Sequence, residues 1–331
     1  IQVDNIYLGT GTAVPTAWAS GRALANHFDD NGQAHINYLD LYGVPGDVPA
    51  ALQIRITPSA AQNAIWVGAR HAGRLGNASI FLEGENFVYS TGGTLGDESI
   101  ATGGTYSNGS ARQARTTAGD AGASFANPVV YTLGLGTPPV GLYRVLLQMQ
   151  STVSGPATGT FVNAGIGYSY GGITLTPSTT AEFVAIASNG GTMQLYDLGA
   201  ITIPPIDTPG SSTVGTFTLR VCFTSPGGTS STLLWDYLQL MPMDMGMVYA
   251  SGSFSTGTNI LIDSTSRPQG VYLSTTADVV QSFPANQVGS APEAHPQGSR
   301  FYILHTETGG GGTPTGSNTV RVTYTPRFIH V

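Results

Sequence analysis

The chain has no lysine. Its 12 basic residues are all arginine, set against 19 acidic ones for a net charge of −7, and only 9% of its 331 residues are charged. An acidic balance with no basic cluster leaves nothing to neutralise a run of phosphates, which argues against nucleic-acid binding. A single cysteine, Cys222, means that no disulfide forms within the chain. It lies on the opposite side of its strand from Phe217, Leu219, Val221 and Phe223. It reads as a packed thiol, because a reactive one needs a neighbouring base. No run of about 18 apolar residues occurs, so no membrane insertion is expected. The six histidines (27, 35, 71, 295, 305 and 330) lack zinc-type spacing. Glycine-rich runs lack the following helix that a phosphate cradle or a nucleophile elbow needs. A non-enzyme is therefore expected. The chain starts at Ile1 with neither Met nor a signal peptide, which reads as a processed or partial chain.

Glycine (45) and proline (20) are plentiful, yet 40% of the residues are hydrophobic, so the chain can build a core. Short strands joined by many tight turns suit that composition, and the expected class is all-β. The length fits about two domains of ordinary size. Leu52, Ile54 and Ile56 alternate with Gln53, Arg55 and Thr57, and Ala64–Arg70 reads as a more buried strand. Further strands are expected at 1–8, 36–42, 143–150, 161–168, 181–187, 193–198, 216–223, 233–240, 259–262, 270–273, 301–304 and 319–328. Residues 18–28 could hold one helical turn, and 89–127, mostly Gly, Ser, Thr and Ala, read as loop and edge. His27-Phe-Asp-Asp-Asn-Gly-Gln-Ala-His35 looks like a metal cluster, but Asp30-Asn-Gly is a hairpin-turn signal and the turn is preferred. The alternating methionines of Met241-Pro-Met-Asp-Met-Gly-Met247 could ligate Cu(I) and equally fill irregular gaps in a core; packing is preferred.

Chemistry concentrates in Phe81-Leu-Glu-Gly-Glu-Asn-Phe87 and Leu233-Leu-Trp-Asp-Tyr-Leu-Gln-Leu-Met-Pro242. As a strand, the first would put Phe81, Glu83, Glu85 and Phe87 on one face. Two partly buried carboxylates about 6.5 Å apart repel one another and need a cation, a proton or an arginine. The second stretch puts Asp236 on the face of Leu234, Leu238 and Leu240. A hard cation with oxygen ligands, most simply calcium, would satisfy Glu83, Glu85 and Asp236 together. Acids that are simply solvated or hydrogen-bonded remain the alternative. A glycosidase pair normally flanks its substrate from separate strands, whereas these are neighbours. Tyr106, Tyr168, Tyr170 and Trp235 are the candidate surfaces for stacking on a glycan, although a ring on a β surface is more often packing. Asn77-Ala-Ser79 and Asn108-Gly-Ser110 are glycosylation sequons.

The Leu-Glu-x-Glu strand, Thr102-Gly-Gly104, Val140–Leu147 and the late Asp-Tyr-Leu resemble the galactose-binding-like jelly-roll carbohydrate-binding modules, over roughly residues 78–246. That resemblance implies a structural calcium on Glu83, Glu85 and Asp236. The stretch around Asp47-Val-Pro-Ala, followed by two strands ending in Gly-x-Arg, resembles structural proteins of tailed-phage tails. So does the closing Tyr324-Thr-Pro-Arg-Phe328.

The expected architecture is an outer β-sandwich made by residues 1–77 and 247–331 together, with a jelly roll, 78–246, inserted between them. The expected function is structural: a virion protein of a tailed bacteriophage, in the tail or on the capsid exterior. Its partners would be further copies of itself, other virion proteins and a host-surface glycan. The alternative is a secreted, non-catalytic bacterial carbohydrate-binding protein.

Overall fold

A computed structural model describes residues 22–25, 38–41, 44, 46–71, 81–91, 97–103, 106–116, 128–136, 140–153, 159–170, 173–179, 184–186, 192–203, 214–224, 231–265, 269–274, 280–308 and 317–327. The first strands are β1 (Arg22–Ala25), β2 (Tyr38–Leu41), β3 (Val48–Pro58) and β4 (Gln62–His71). Next come β5 (Phe81–Glu83), β6 (Val88–Thr91), β7 (Asp97–Thr102), β8 (Ser110–Thr116), β9 (Val129–Gly136), β10 (Gly141–Val153), β11 (Gly159–Tyr170) and β12 (Ile173–Thr179). They are followed by β13 (Val184–Ile186), β14 (Gln194–Ile203), β15 (Val214–Thr224) and β16 (Ser231–Pro242). The chain then runs through β17 (Met247–Phe254), β18 (Asn259–Asp263), β19 (Gly270–Ser274), β20 (Val280–Ser282), β21 (Asn286–Gly289), β22 (Ser299–Glu307) and β23 (Ser317–Arg327).

Strict alternation builds the outer sandwich. Leu52, Ile54 and Ile56 are buried while Gln53, Arg55 and Thr57 are half-exposed, which fixes one face of β3 as core. The same period in β19 and β23, together with β18, which is buried at every residue, completes a sheet in the order β1-β23-β3-β18-β19-β20. Across from it lies β2-β22-β4-β17-β21, supplying Ile65, Val67, Ala69, Val248, Phe301 and Ile303 to the shared core. Each such valine, isoleucine or phenylalanine, fully buried, contributes about 1.5–3 kcal/mol. Both sheets draw strands from the two ends of the chain, so the fold is all-β with a jelly roll inserted in an outer sandwich.

The jelly roll pairs the sheet β14-β10-β16-β8-β7, with β5 beside β16, against β12-β11-β15-β9-β6, with β13 beside β11. Its core does not end at its own sheets. One apolar cluster contains Phe217 and Leu219 of β15, Leu238 and Leu240 of β16, and Trp66, Tyr302 and Leu304 of the outer sandwich. Strand β4 is therefore buried on both faces, and β16 is buried from Leu233 through Pro242. Contact is close enough that a Cβ on Gly68 would lie 2.3 Å from the Pro242 carbonyl. The Arg70 guanidinium donates to the Val140 carbonyl at 2.9 Å and lies 5.6 Å from the Tyr143 ring centre.

Several local expectations change. Residues 22–25 pair with β23 as a strand, not a helical turn. The Gly/Ser/Thr/Ala stretch does hold an edge strand, β7, but it also holds β8, an interior one between β7 and β16. Strands β9, β12 and β17 had no clear signal; Pro177 falls where β12 breaks register against β11, as a strand proline should. The methionines diverge into packing. Met241 and Met247 enter the central cluster, with Met243 against it, and Met245 lies against the outer core. The 27–35 stretch and the Cys222 side chain lie outside the described residues.

Candidate functional site

Four pieces of chain converge around the acids. The strand expected over 81–87 stops at Glu83, and Gly84–Asn86 form a 3-10 turn. Glycine is what permits it: a Cβ at Gly84 would come within 2.3 Å of the Trp235 carbonyl and 2.7 Å of that of Asp236. The turn separates the pattern read as one face. Phe81 stacks on Tyr237 at 4.7 Å, while Phe87, fully buried, meets Phe217 and Trp235 edge-on.

Asp236 owes its position to a β-bulge. Gln148 pairs with Tyr237 and Met149 with Trp235, which leaves Asp236 as the extra residue. On the other flank, β8 pairs as far as Trp235 and β5 begins at Tyr237. The acid thus sits in a gap in both ladders, with no exposed surface.

A second tight turn, Ser107–Gly109, closes the site, with Asn108 in the left-handed region at φ 51°. The Ser107 N–H donates to Asp236 Oδ1 at 2.8 Å, and its hydroxyl donates to Glu83 Oε1 at 3.0 Å. Asn108 Nδ2 donates to Glu85 Oε1 at 2.9 Å. Arg112 ties the assembly together. It donates to the carbonyls of Glu85 and Phe87 and pairs with Glu98 at 2.8 Å.

Charge is poorly satisfied here. Glu83 Oε2 and Glu85 Oε2 are buried with no hydrogen-bond partner. Burial, then the Glu85 charge, raises the Glu83 carboxyl to about 8 against the pull of Ser107. Burial, then Glu83, pushes Asp236 well above the usual carboxylate range, opposed by the Ser107 N–H. Glu85 is raised by burial and lowered by Asn108 and Arg112. All donors present are oxygens, the chemistry a hard cation prefers. Even so, among the described residues no three His, Cys, Asp or Glu groups gather into an arrangement able to hold a metal ion. The three acids feel one another without closing on a point, contrary to the single closed site expected.

The stacking candidates fare unevenly. Trp235 is fully buried between Phe87 and Tyr131, so it cannot receive a sugar ring. Tyr106 packs half-buried beside Ala111, Met193 and Leu234. Tyr168 and Tyr170 end β11, and their side chains lie outside the described residues. Gly167-Tyr-Ser-Tyr-Gly171 spells the letters of a nucleophile elbow, but Ser169 is paired in a strand between Thr174 and Val214. It does not sit on the strand-to-helix turn which that chemistry needs. Sequence reasoning missed Ser107, Asn108 and Arg112, whose roles depend on a turn and a register that no local pattern announces.

No family model matches the chain, and no curated protein does. Among solved structures, it is similar to the xylan-binding CBM22-1 domain of Paenibacillus barcinonensis Xyn10C, at 15% identity over 52% of this chain and 99% of that one, with a TM-score of 0.30. It is also similar to TmCBM61, solved with β-1,4-galactotriose, at 14% identity over 48% and 90% of the two chains, with a TM-score of 0.27. A structure of infectious bursal disease virus, Gt strain, aligns over 87% of this chain and 78% of that one at 11% identity, with a TM-score of 0.25. At these identities and scores the likenesses carry no argument about function.

Proposed function

We propose that the chain is a non-catalytic structural protein of a virus particle of the tailed-phage kind, in the tail or on the capsid exterior. The observation that carries the reading is the continuous core. A binding module on a tether keeps its own core, whereas here β4 and β16 are buried on both sides and one cluster runs from the jelly roll into the outer sandwich. That construction suits a rigid part that meets its neighbours in fixed orientation. The two phage-tail-like segments of the sequence support the same assignment. Sedimentation of the purified chain should show a closed oligomer, and a strict monomer at particle-like concentrations contradicts the reading.

The jelly roll serves assembly or contact with a host-surface glycan. A second reading, a secreted carbohydrate-binding protein, is favoured by the acids at Glu83, Glu85 and Asp236, which match the jelly-roll modules it resembles. Glycan-array binding by a monomer would select it.

Calcium belongs to either reading as a structural ion. To hold it, the orphaned oxygens of Glu83 and Glu85 and the carboxylate of Asp236 would have to draw together from the separated placement described above. Its charge would offset three carboxylates that the fold otherwise forces together.

A further inference from the structure

A strand that ends a sheet presents unpaired backbone N–H and C=O groups, and proteins blunt such edges with charge, proline or a bulge. Eight strands end the four sheets of this fold. The sequences of β1, β2, β7 and β14 include Arg22, Asp40, Asp97 and Asp197. Strand β12 contains Pro177, and β6 and β20 are interrupted by register shifts. Strand β21 has none of these. Asn286-Gln-Val-Gly289 pairs with β17 through all 4 of its residues without a shift, and every one of them is exposed. Among the described residues its other side has no partner strand.

This edge is firmly seated. Gln287 Oε1 accepts the Val271 N–H at 2.8 Å, which ties β21 to the facing sheet of the sandwich. Gly289, at φ 98°, lies so close to β17 that a Cβ there would be 2.1 Å from the Met247 carbonyl. The Ser290 N–H donates to that same carbonyl at 2.9 Å. Bonds alternate along an antiparallel ladder, so Val288, opposite Tyr249, is the next residue whose backbone points at β17. The Gln287 carbonyl and the Gly289 N–H therefore point out of the free edge. Beside them Val288 is 64% exposed and Phe283 62% exposed.

The strand that fits this edge is β21 itself. With a two-fold axis through Val288, the Gly289 N–H of each copy meets the Gln287 carbonyl of the other. The two valines then face one another as a non-hydrogen-bonded pair, their Cβ atoms about 4.5–5.5 Å apart. Charge favours the same occupant. Copies with a net charge of −7 repel wherever their charged surfaces meet, and residues 279–292 contain no charged side chain.

We infer that two copies of this chain pair through β21, antiparallel about Val288, so that their five-stranded sheets run on as one. The inference rests on the self-assembly part of the proposed function and names the contact.

Sedimentation of the full chain, together with thiol cross-linking, tests it. The parent should sediment as a dimer or a multiple of dimers. Val288→Lys sets two like charges opposite each other at the axis and should weaken association by about tenfold or more. Its melting temperature when dilute should match that of the parent, because Val288 is exposed. Val288→Cys should form a disulfide-linked dimer on mild oxidation, since the paired Cβ atoms come within bridging reach. Asn286→Cys, displaced from the axis, should not, and the parent under the same oxidation controls for Cys222. Should Val288→Lys fold poorly, Val288→Cys decides alone. Unchanged association in Val288→Lys, no cross-link in Val288→Cys, or equal cross-linking through Asn286→Cys overturns the inference, while an assembling parent leaves the virion reading standing. A parent that is monomeric throughout overturns both. A β21-paired dimer that is absent from particles overturns the virion reading and upholds the contact.

Discussion

Glu83 is where burial and charge conflict most directly. Its carboxyl lies near 8 in the folded chain against an ordinary 4.5, so between those values the folded state holds more protons than the unfolded one. The resulting contribution to stability is full below about pH 4.5 and is lost as pH rises through about 8. In calcium-free buffer the melting temperature should therefore fall across that window. The proposed calcium would bind the ionised acids, so adding it should raise the melting temperature, and more at the alkaline end. A chelator-resistant melting temperature that does not move on adding calcium contradicts the ion. Glu83→Gln, neutral at every pH, should flatten the pH profile and weaken the calcium response. Trp235 makes a different prediction. Fully buried against Phe87 and Tyr131, it should cost about 3–5 kcal/mol on replacement by alanine, measured by urea unfolding. A loss near zero would mean that the ring is not the core element described.

At the scale of elements, the site depends on two breaks in regular pairing: the 3-10 turn after β5 and the bulge in β16. Gly84→Ala would drive a methyl into the Trp235 and Asp236 carbonyls, and should cost about 3 kcal/mol and disturb the calcium response. Full stability in that variant would contradict the close approach. These breaks also mark the limit of what the sequence revealed. Strands such as β3, β10 and β23 were legible because one face is apolar and the other is not, so period alone identifies them. The three acids were legible as a group because carboxylates beside apolar residues are conspicuous. Their geometry was not: a glycine in Leu-Glu-Gly-Glu reads as neutral until the neighbouring backbone is seen 2.3 Å from its missing Cβ. Strand β8 was hidden because Ser110-Ala-Arg-Gln-Ala-Arg-Thr116 has little apolar alternation of its own and takes its place from pairing with β7 and β16. Trp235 next to an acid was open to two readings, ligand platform or core; a strand buried on both faces gives it no open side and makes it core.

At the scale of the molecule, the shared core predicts cooperative unfolding. The outer sandwich and the jelly roll meet through Trp66, Tyr302, Leu304 and the Gly68–Pro242 contact, so calorimetry should record one transition for both. Two well-separated transitions would mean that the sandwiches are independent and would remove the main support for a rigid particle component. An antibody-labelled electron micrograph of the protein in its native source tests the central claim most directly. Label is expected at regular positions on a tail or capsid surface, in the copy number of a symmetric assembly. Label confined to free protein, with unlabelled particles beside it, would contradict the virion reading and leave the secreted carbohydrate-binding protein in its place.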